Sequence, residues 1–226
     1  MITVCSDADQ AYLRASGCRA PIHVVPNGFR RPDTDPARCA ANPPRIGFVG
    51  PFAHFPNLDG IRWFARECWP RIKSSCPDAR LRIVGKGSDG DLKPIGPDID
   101  GLGWVANVAE EIATWSVMII PLNMGAGTRV KLAQAFSLKC PVVSTSVGAY
   151  GYDLRDGVQL ALADSPEAFA GSCIRMVRHP EEANEMANRA WRQFLEKWTW
   201  EAISPRVWAA VETCLRLNSA SGKSPG

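Results

Sequence analysis

Between residues 45 and 197 the chain alternates short apolar runs with longer stretches of helical period, and this alternation restricts the fold more than any other feature. Apolar runs stand at 45–50, 81–85, 99–104, 117–122, 141–145 and 159–163. Helical patterns between and after them span 57–73, 108–115, 128–138, 165–178 and 181–197. In the first of these Ile61, Phe64, Cys68 and Ile72 recur at steps of three or four, the spacing of one buried helix face. Strands that alternate with helices predict a parallel sheet covered on both sides. The fold class expected is therefore α/β, a Rossmann-like doubly wound parallel sheet, occupying 45–197.

The flanks read differently. Residues 1–44 open with a short strand at Ile2 and a helix capped by Ser6 or Asp7, then pass into a segment from Pro21 to Pro44 that holds six prolines. Proline lacks an amide donor and fixes φ, so extended or turning backbone is expected there. The segment reads as a linker. At the other end, 198–217 predicts a closing helix with Trp200, Ile203, Val207, Trp208, Val211 and Leu215 on one stripe that something must cover. The Ser- and Gly-rich 218–226 is expected to be a disordered tail.

Composition narrows the function classes. With 226 residues and a formal charge of +3, and no long basic run, a nucleic-acid footprint is not indicated, while mild basicity suits a phosphate-bearing ligand. No run reaches the roughly 20 apolar residues of a membrane span, and no signal pattern opens the chain, so membrane association is not evident and a cytoplasmic location is expected. The eight cysteines form no C-x-x-C pair, which fits neither a zinc ribbon nor a redox motif. Cys140, at the head of an apolar run, reads as core. No metal site is expected.

In an open parallel sheet, ligands bind beyond the carboxyl ends of the strands. The most informative loop there leads through Gly125 and Gly127 into a helix near Thr128. Glycine lets backbone approach a ligand closely, and a helix start offers unpaired N–H groups, so a diphosphate fits. The bland reading is that the two glycines only make a tight turn and that Arg129 and Lys131 are solvated. Lys131 and Gln134 share a helix face, whereas Arg129 lies about 200° from Lys131 on a regular helix, so both meet one ligand only if the first turn is irregular. The loop is not a Walker loop, and Gly47 and Gly50 do not complete a dinucleotide fingerprint, which weighs against NAD.

These residues carry a family resemblance. Gly125, Gly127, Thr128, Arg129, Lys131, Gln134 and Ala135, followed by the run from Lys139 to Thr145, with Pro26-Asn27-Gly28, the strand ending at Gly85, Gly101 to Val105, and Trp198 with Trp200, resemble the C-terminal half of family-4 (group 1) glycosyltransferases of GT-B architecture. The likeness runs from residue 1 to about 215. It implies a donor-binding domain for a nucleoside-diphosphate sugar, transfer to a hydroxyl acceptor with retention, and no metal or other cofactor. It implies Arg129 and Lys131 as catalytic groups that stabilise the departing diphosphate, and Gly125, Gly127, Thr128, Gln134, Val105, Lys86 and Tyr150 as donor-binding positions. Gln134 stands where the family carries a ribose-binding Glu, and Ala126 where it carries the earlier Glu of its pair. The loop 50–57 lacks the family's Arg and Lys, leaving His54, which reads more simply as a loop histidine; Lys86 reads equally as a solvated loop lysine. Trp104 is expected in the core rather than as a stacking platform.

The resemblance also implies a second, N-terminal domain for the acceptor, of which residues 1–16 would be the final strand and helix. Two functions follow: a glycosyltransferase donor half, inactive without an N-terminal domain, in polysaccharide biosynthesis, or a non-catalytic nucleotide-sugar module or degenerate subunit. The expected macromolecular partner is an N-terminal domain chain, or a second copy joined through the 200–215 helix.

Overall fold

The computed structural model describes residues 1–91, 96 and 98–221. Six parallel strands build its main sheet: β3 (Arg45–Val49), β4 (Arg80–Val84), β5 (Ile99–Gly103), β6 (Val117–Ile120), β7 (Val142–Ser144) and β8 (Ala161–Leu162). They lie in the order β5-β4-β3-β6-β7-β8, so the winding reverses between β3 and β6. This reversal is where an open α/β sheet parts its loops into a crevice.

Strand residues alternate between two cores. On β6, Val117 and Ile119 join the cluster beneath one set of helices, while Met118 and Ile120 join the other. The first face is covered by α2 (Phe55–Trp63), α3 (Trp69–Ser75) and α7 (Pro166–Arg178), which bring Ile61, Ile72, Phe169 and Cys173 onto Phe48 and Leu81. The second is covered by α5 (Val108–Ala113), α6 (Val130–Ser137) and α8 (Pro180–Lys197), whose Ile112, Leu132, Phe136 and Phe194 belong to the same core as Trp115. A short helix, α4 (Ser88–Asp91), follows β4. Trp115 is fully buried against β3, and a Cβ on Gly47 would run into its ring.

The single helix expected at 57–73 is two helices joined by a π-helical turn, Phe64–Cys68, in which the Trp69 amide bonds back to the Phe64 carbonyl. Pro70 supplies the reason: its ring has no N–H to give, and the wider turn just before it relieves the crowding that a proline imposes on the preceding turn.

Ahead of the sheet, β1 (Ile2–Val4), α1 (Asp7–Ala15) and β2 (Ile22–Val24) form a separate β-α-β unit, its two strands parallel. Ser6 caps α1 by accepting from the Asp9 amide. The closing helix α9 runs Trp200–Ser221 and packs on β2. Residues 218–221 of the expected tail are thus helical, because α9 continues unbroken through them, and 222–226 lie outside the described residues. Of the predicted stripe only Ile203 is fully covered; Trp200 and Trp208 are 56% and 66% exposed. Met1, Thr3, Val25, Val207, Val211 and Leu215 line an apolar groove of about 360 Å³ along this helix. Among the described residues no helix is long and apolar enough to cross a membrane.

Candidate functional site

The site gathers at the β3/β6 reversal. Beyond β3 the chain turns through Gly50 and Pro51 into α2, and beyond β6 it passes through Gly125 and Gly127 into α6. Both glycines of the second loop take left-handed backbone, with φ of 118° and 76°. Arg129 stands at the N-cap of α6 in extended conformation (φ −91°, ψ 99°), and no side chain caps the helix start. The helix therefore begins two residues later than the predicted Thr128. Arg129 thus precedes the helix rather than standing on it, so the 200° separation of a regular helix does not apply, and its charge is felt at Lys131.

Arg129 is only 9% exposed. Its Nη1 donates to the Ala126 carbonyl at 2.5 Å, while Nε and Nη2 are buried with no partner. A Cβ on Gly125 would stand 2.8 Å from Nη2, so the missing side chain makes room for the guanidinium. Burial lowers the arginine's affinity for its proton. A buried guanidinium with two unused donors is costly unless an anion completes it.

Lys131 reaches back to the first loop. Its Nζ donates to Asn57 Oδ1 at 2.7 Å and lies 4.1 Å from the centre of the Phe48 ring. Asn57 is 3% exposed, and its Nδ2 donates to the Pro51 carbonyl at 2.8 Å. A Cβ on Gly50 would lie 2.9 Å from Nζ. Burial first, then repulsion from Arg129, pushes the lysine pKa down to about 7. Two cationic groups thus stand within each other's electrostatic reach at the sheet reversal, with no carboxylate paired to either among the described residues.

The other predicted positions divide. Gln134 is half-buried one turn beyond Lys131 on α6. Thr128 turns aside: its Oγ1 accepts from Asn27 Nδ2 at 2.7 Å, and it lines a small cavity with Cys5, Ser6, Asn27 and Arg206. The Tyr150 hydroxyl lies 3.2 Å from Asp9 Oδ1, which ties the loop after β7 to α1. Lys86 is exposed, and its carbonyl accepts from the Phe52 amide at 3.1 Å. Val105 is half-buried against the second core. No hydrogen bond or ion pair among the described residues joins Lys86 or Val105 to Arg129 or Lys131. His54 is an exposed N-cap of α2 without a side-chain cap bond.

Trp104 corrects the expectation of burial: it is 77% exposed. It follows Gly103, whose positive φ of 62° turns the chain out at the end of β5, the outermost strand, where no further strand among the described residues covers it. Sequence reasoning also missed Asn57. The available signal was its position: Asn57, Ile61 and Phe64 fall on one helix stripe, and an amide on a buried stripe must find partners.

Comparison with known proteins bears on family and fold. Residues 43–179, more than half of the chain, match the family model described as glycosyl transferases group 1. The chain belongs to this family. A curated relative, the "uncharacterized 44.6 kDa protein in cps region" of Klebsiella pneumoniae, is 27% identical over 193 residues, covering 80% of this chain and 48% of its own. The chain therefore spans about half the length of that relative. Among solved structures, S. aureus TarM in complex with fondaparinux, α-GlcNAc-glycerol and UDP superposes with a TM-score of 0.78 at 15% identity, covering 92% of this chain and 43% of that one. Sucrose-phosphate synthase from Thermosynechococcus elongatus gives 0.75 at 17%, covering 95% and 58%. Anabaena HepE in complex with UDP-glucose gives 0.74 at 14%, covering 94% and 64%. At these identities the likeness is one of fold, and the fold is the Rossmann-like α/β domain of a GT-B glycosyltransferase.

Proposed function

We propose that this chain is the donor-binding half of a glycosyltransferase that passes a hexosyl group, with retention and without metal, from a nucleoside-diphosphate sugar to a hydroxyl acceptor. The observation that carries the reading is the Arg129 guanidinium, buried with two unpartnered nitrogens beside Lys131 at the sheet reversal. A diphosphate would supply Arg129 with its missing partner and Lys131 with a counter-charge. In the reaction its negative charge grows as the sugar departs, and cations fixed beforehand stabilise that growth without reorganising. The uncapped start of α6 adds N–H groups of the same sign. Gln134 would bond the ribose, Val105 the base, and Lys86 and Tyr150 would stand at the margins of the sugar and nucleotide. The UDP and UDP-glucose complexes of the fold relatives support the ligand class, and the cps-region relative supports a part in polysaccharide assembly.

Acceptor binding and turnover would require an N-terminal domain, or a second copy, seated on the apolar groove of α9 and the free edge of β1. A non-catalytic nucleotide-sugar module is the second reading, and Gln134 and Ala126 in place of the family's carboxylates favour it.

Calorimetric titration with UDP-glucose and GDP-mannose tests the site. Binding by the parent that is lost in Arg129→Ala is expected; absence of binding to either ligand overturns the donor reading. Transfer that appears only when an N-terminal domain is supplied separates the enzyme from the sensor.

A further inference from the structure

Asn57 is the residue through which the two loops of the crevice meet. It projects from the first turn of α2, buried, on the stripe that otherwise carries Ile61 and Phe64 into the core. Its amide is oriented without ambiguity by two bonds of opposite sense: Nδ2 gives to the Pro51 carbonyl, which leaves Oδ1 to accept from Lys131 Nζ. The lysine nitrogen lies over the Phe48 ring, 4.1 Å from its centre, and a Cβ on Gly50 would stand 2.9 Å from it, so the missing side chain leaves room for the amine. An aspartate at this place would have the same size and a better acceptor for an ammonium, yet it would close the crevice electrostatically by pairing the cation before any ligand came.

We propose that Asn57 is a positioning residue of the anion crevice: its neutral amide aims the Lys131 amine at the sheet reversal while leaving the charge of that amine to be completed by the incoming diphosphate. The inference rests on the donor reading above and adds to it a role for a residue outside the catalytic pair. The groups facing the Lys131 amine are Arg129 from its own segment and, from β3 and α2, the Phe48 ring, Gly50 and the Asn57 amide. None is an anion. Near neutrality the amine is therefore only partly protonated in the free protein, and a diphosphate that arrives beside it favours the ammonium. Binding then forms one Nζ–H bond, the proton coming from the buffer acid.

Calorimetry at pH 8 with UDP-glucose, and with GDP-mannose if the first is silent, reads this directly. The phosphates of a nucleotide sugar are fully ionised at that pH, so a proton taken up belongs to the protein. Heats measured in Tris and in HEPES are expected to differ by the uptake of about one proton per site. In Asn57→Asp the lysine is already an ammonium, so the buffer dependence is expected to vanish and affinity to fall about tenfold. Asn57→Ser, which removes the aim without adding charge, is expected to keep the buffer dependence and lose a few-fold in affinity. Lys131→Arg, charged at every pH, is expected to bind with heats that are equal in the two buffers, and it serves if either Asn57 variant fails to fold by thermal melting.

Parental binding with buffer-independent heats overturns the inference and leaves the donor reading standing. Asn57→Asp with parental affinity and parental heats also overturns it. A parent that binds neither nucleotide sugar overturns the donor reading, and this inference with it.

Discussion

The Asn27 side-chain amide donates to the Thr128 hydroxyl at 2.7 Å, joining residues 101 positions apart. The turn that leads into the main domain is thereby tied to the residue just before Arg129, so the crevice loop is held from the side of the small N-terminal unit. The Thr128 side chain thus contributes support to the loop.

Asn27→Ala removes this tie. Loss of one partly buried hydrogen bond predicts a destabilisation of about 1 kcal/mol in urea unfolding. It also predicts weaker nucleotide-sugar binding, since the residues entering α6 lose their lateral anchor. Unchanged unfolding midpoints would show that the bond is replaced by water at no cost.

Arg129→Met sets stability against function. The methionine fills similar space without two unsatisfied donors, so the variant is expected to melt higher than the parent, by the equivalent of roughly 1 kcal/mol. Donor affinity is expected to fall at least tenfold in the same preparation, as for loss of a charge-assisted contact. A variant that melts lower would mean that the guanidinium is satisfied in the free protein.

The Lys131 pKa of about 7 predicts how stability changes with pH. An unfolded lysine keeps its proton to about pH 10.4, so between pH 7 and that value the unfolded chain binds the extra proton and the folded protein gains stability as pH rises. Below pH 7 the full penalty of burying the ammonium is present. Lys131→Met should therefore be more stable than the parent at pH 6, by up to a few kcal/mol, and the difference should shrink steadily towards pH 10. A difference that stays constant across denaturant titrations at pH 6, 8 and 10 would contradict the assignment.

Gln134→Glu restores a carboxylate one turn from Lys131. If the position meets a ribose hydroxyl, the change from a neutral to a charged acceptor is expected to tighten binding of a nucleotide sugar about fivefold. Equal affinity for parent and variant would place Gln134 outside the ribose site.

Much of the architecture was legible in the sequence because it depends on local period. The six strands fall within the predicted runs or within a residue of them, and the two faces of β6 follow from simple alternation. The glycines before α6 likewise pointed to a turn with left-handed backbone, whereas the helix is expected from Thr128 and begins at Val130, with Arg129 as its extended N-cap. What stayed hidden depends on segments far apart in the chain. Lys131 and Asn57 are 74 residues apart, and Tyr150 and Asp9 are 141 apart; no periodicity encodes such pairs. Trp104 misled because a large aromatic is ordinarily buried, whereas its place at the open end of an outer strand decides otherwise.

The chain passes between the small N-terminal unit and the main domain twice, once near Phe29 on the way in and once near Thr199 on the way out. At that border the Phe29 amide bonds to the Trp198 carbonyl at 2.9 Å and the Trp200 amide to the Phe29 carbonyl at 3.0 Å. The outgoing and the returning strand are thus laced to each other at one residue, so neither can leave the border without giving up both bonds, and Asn27, two residues before Phe29, carries that seam on to Thr128.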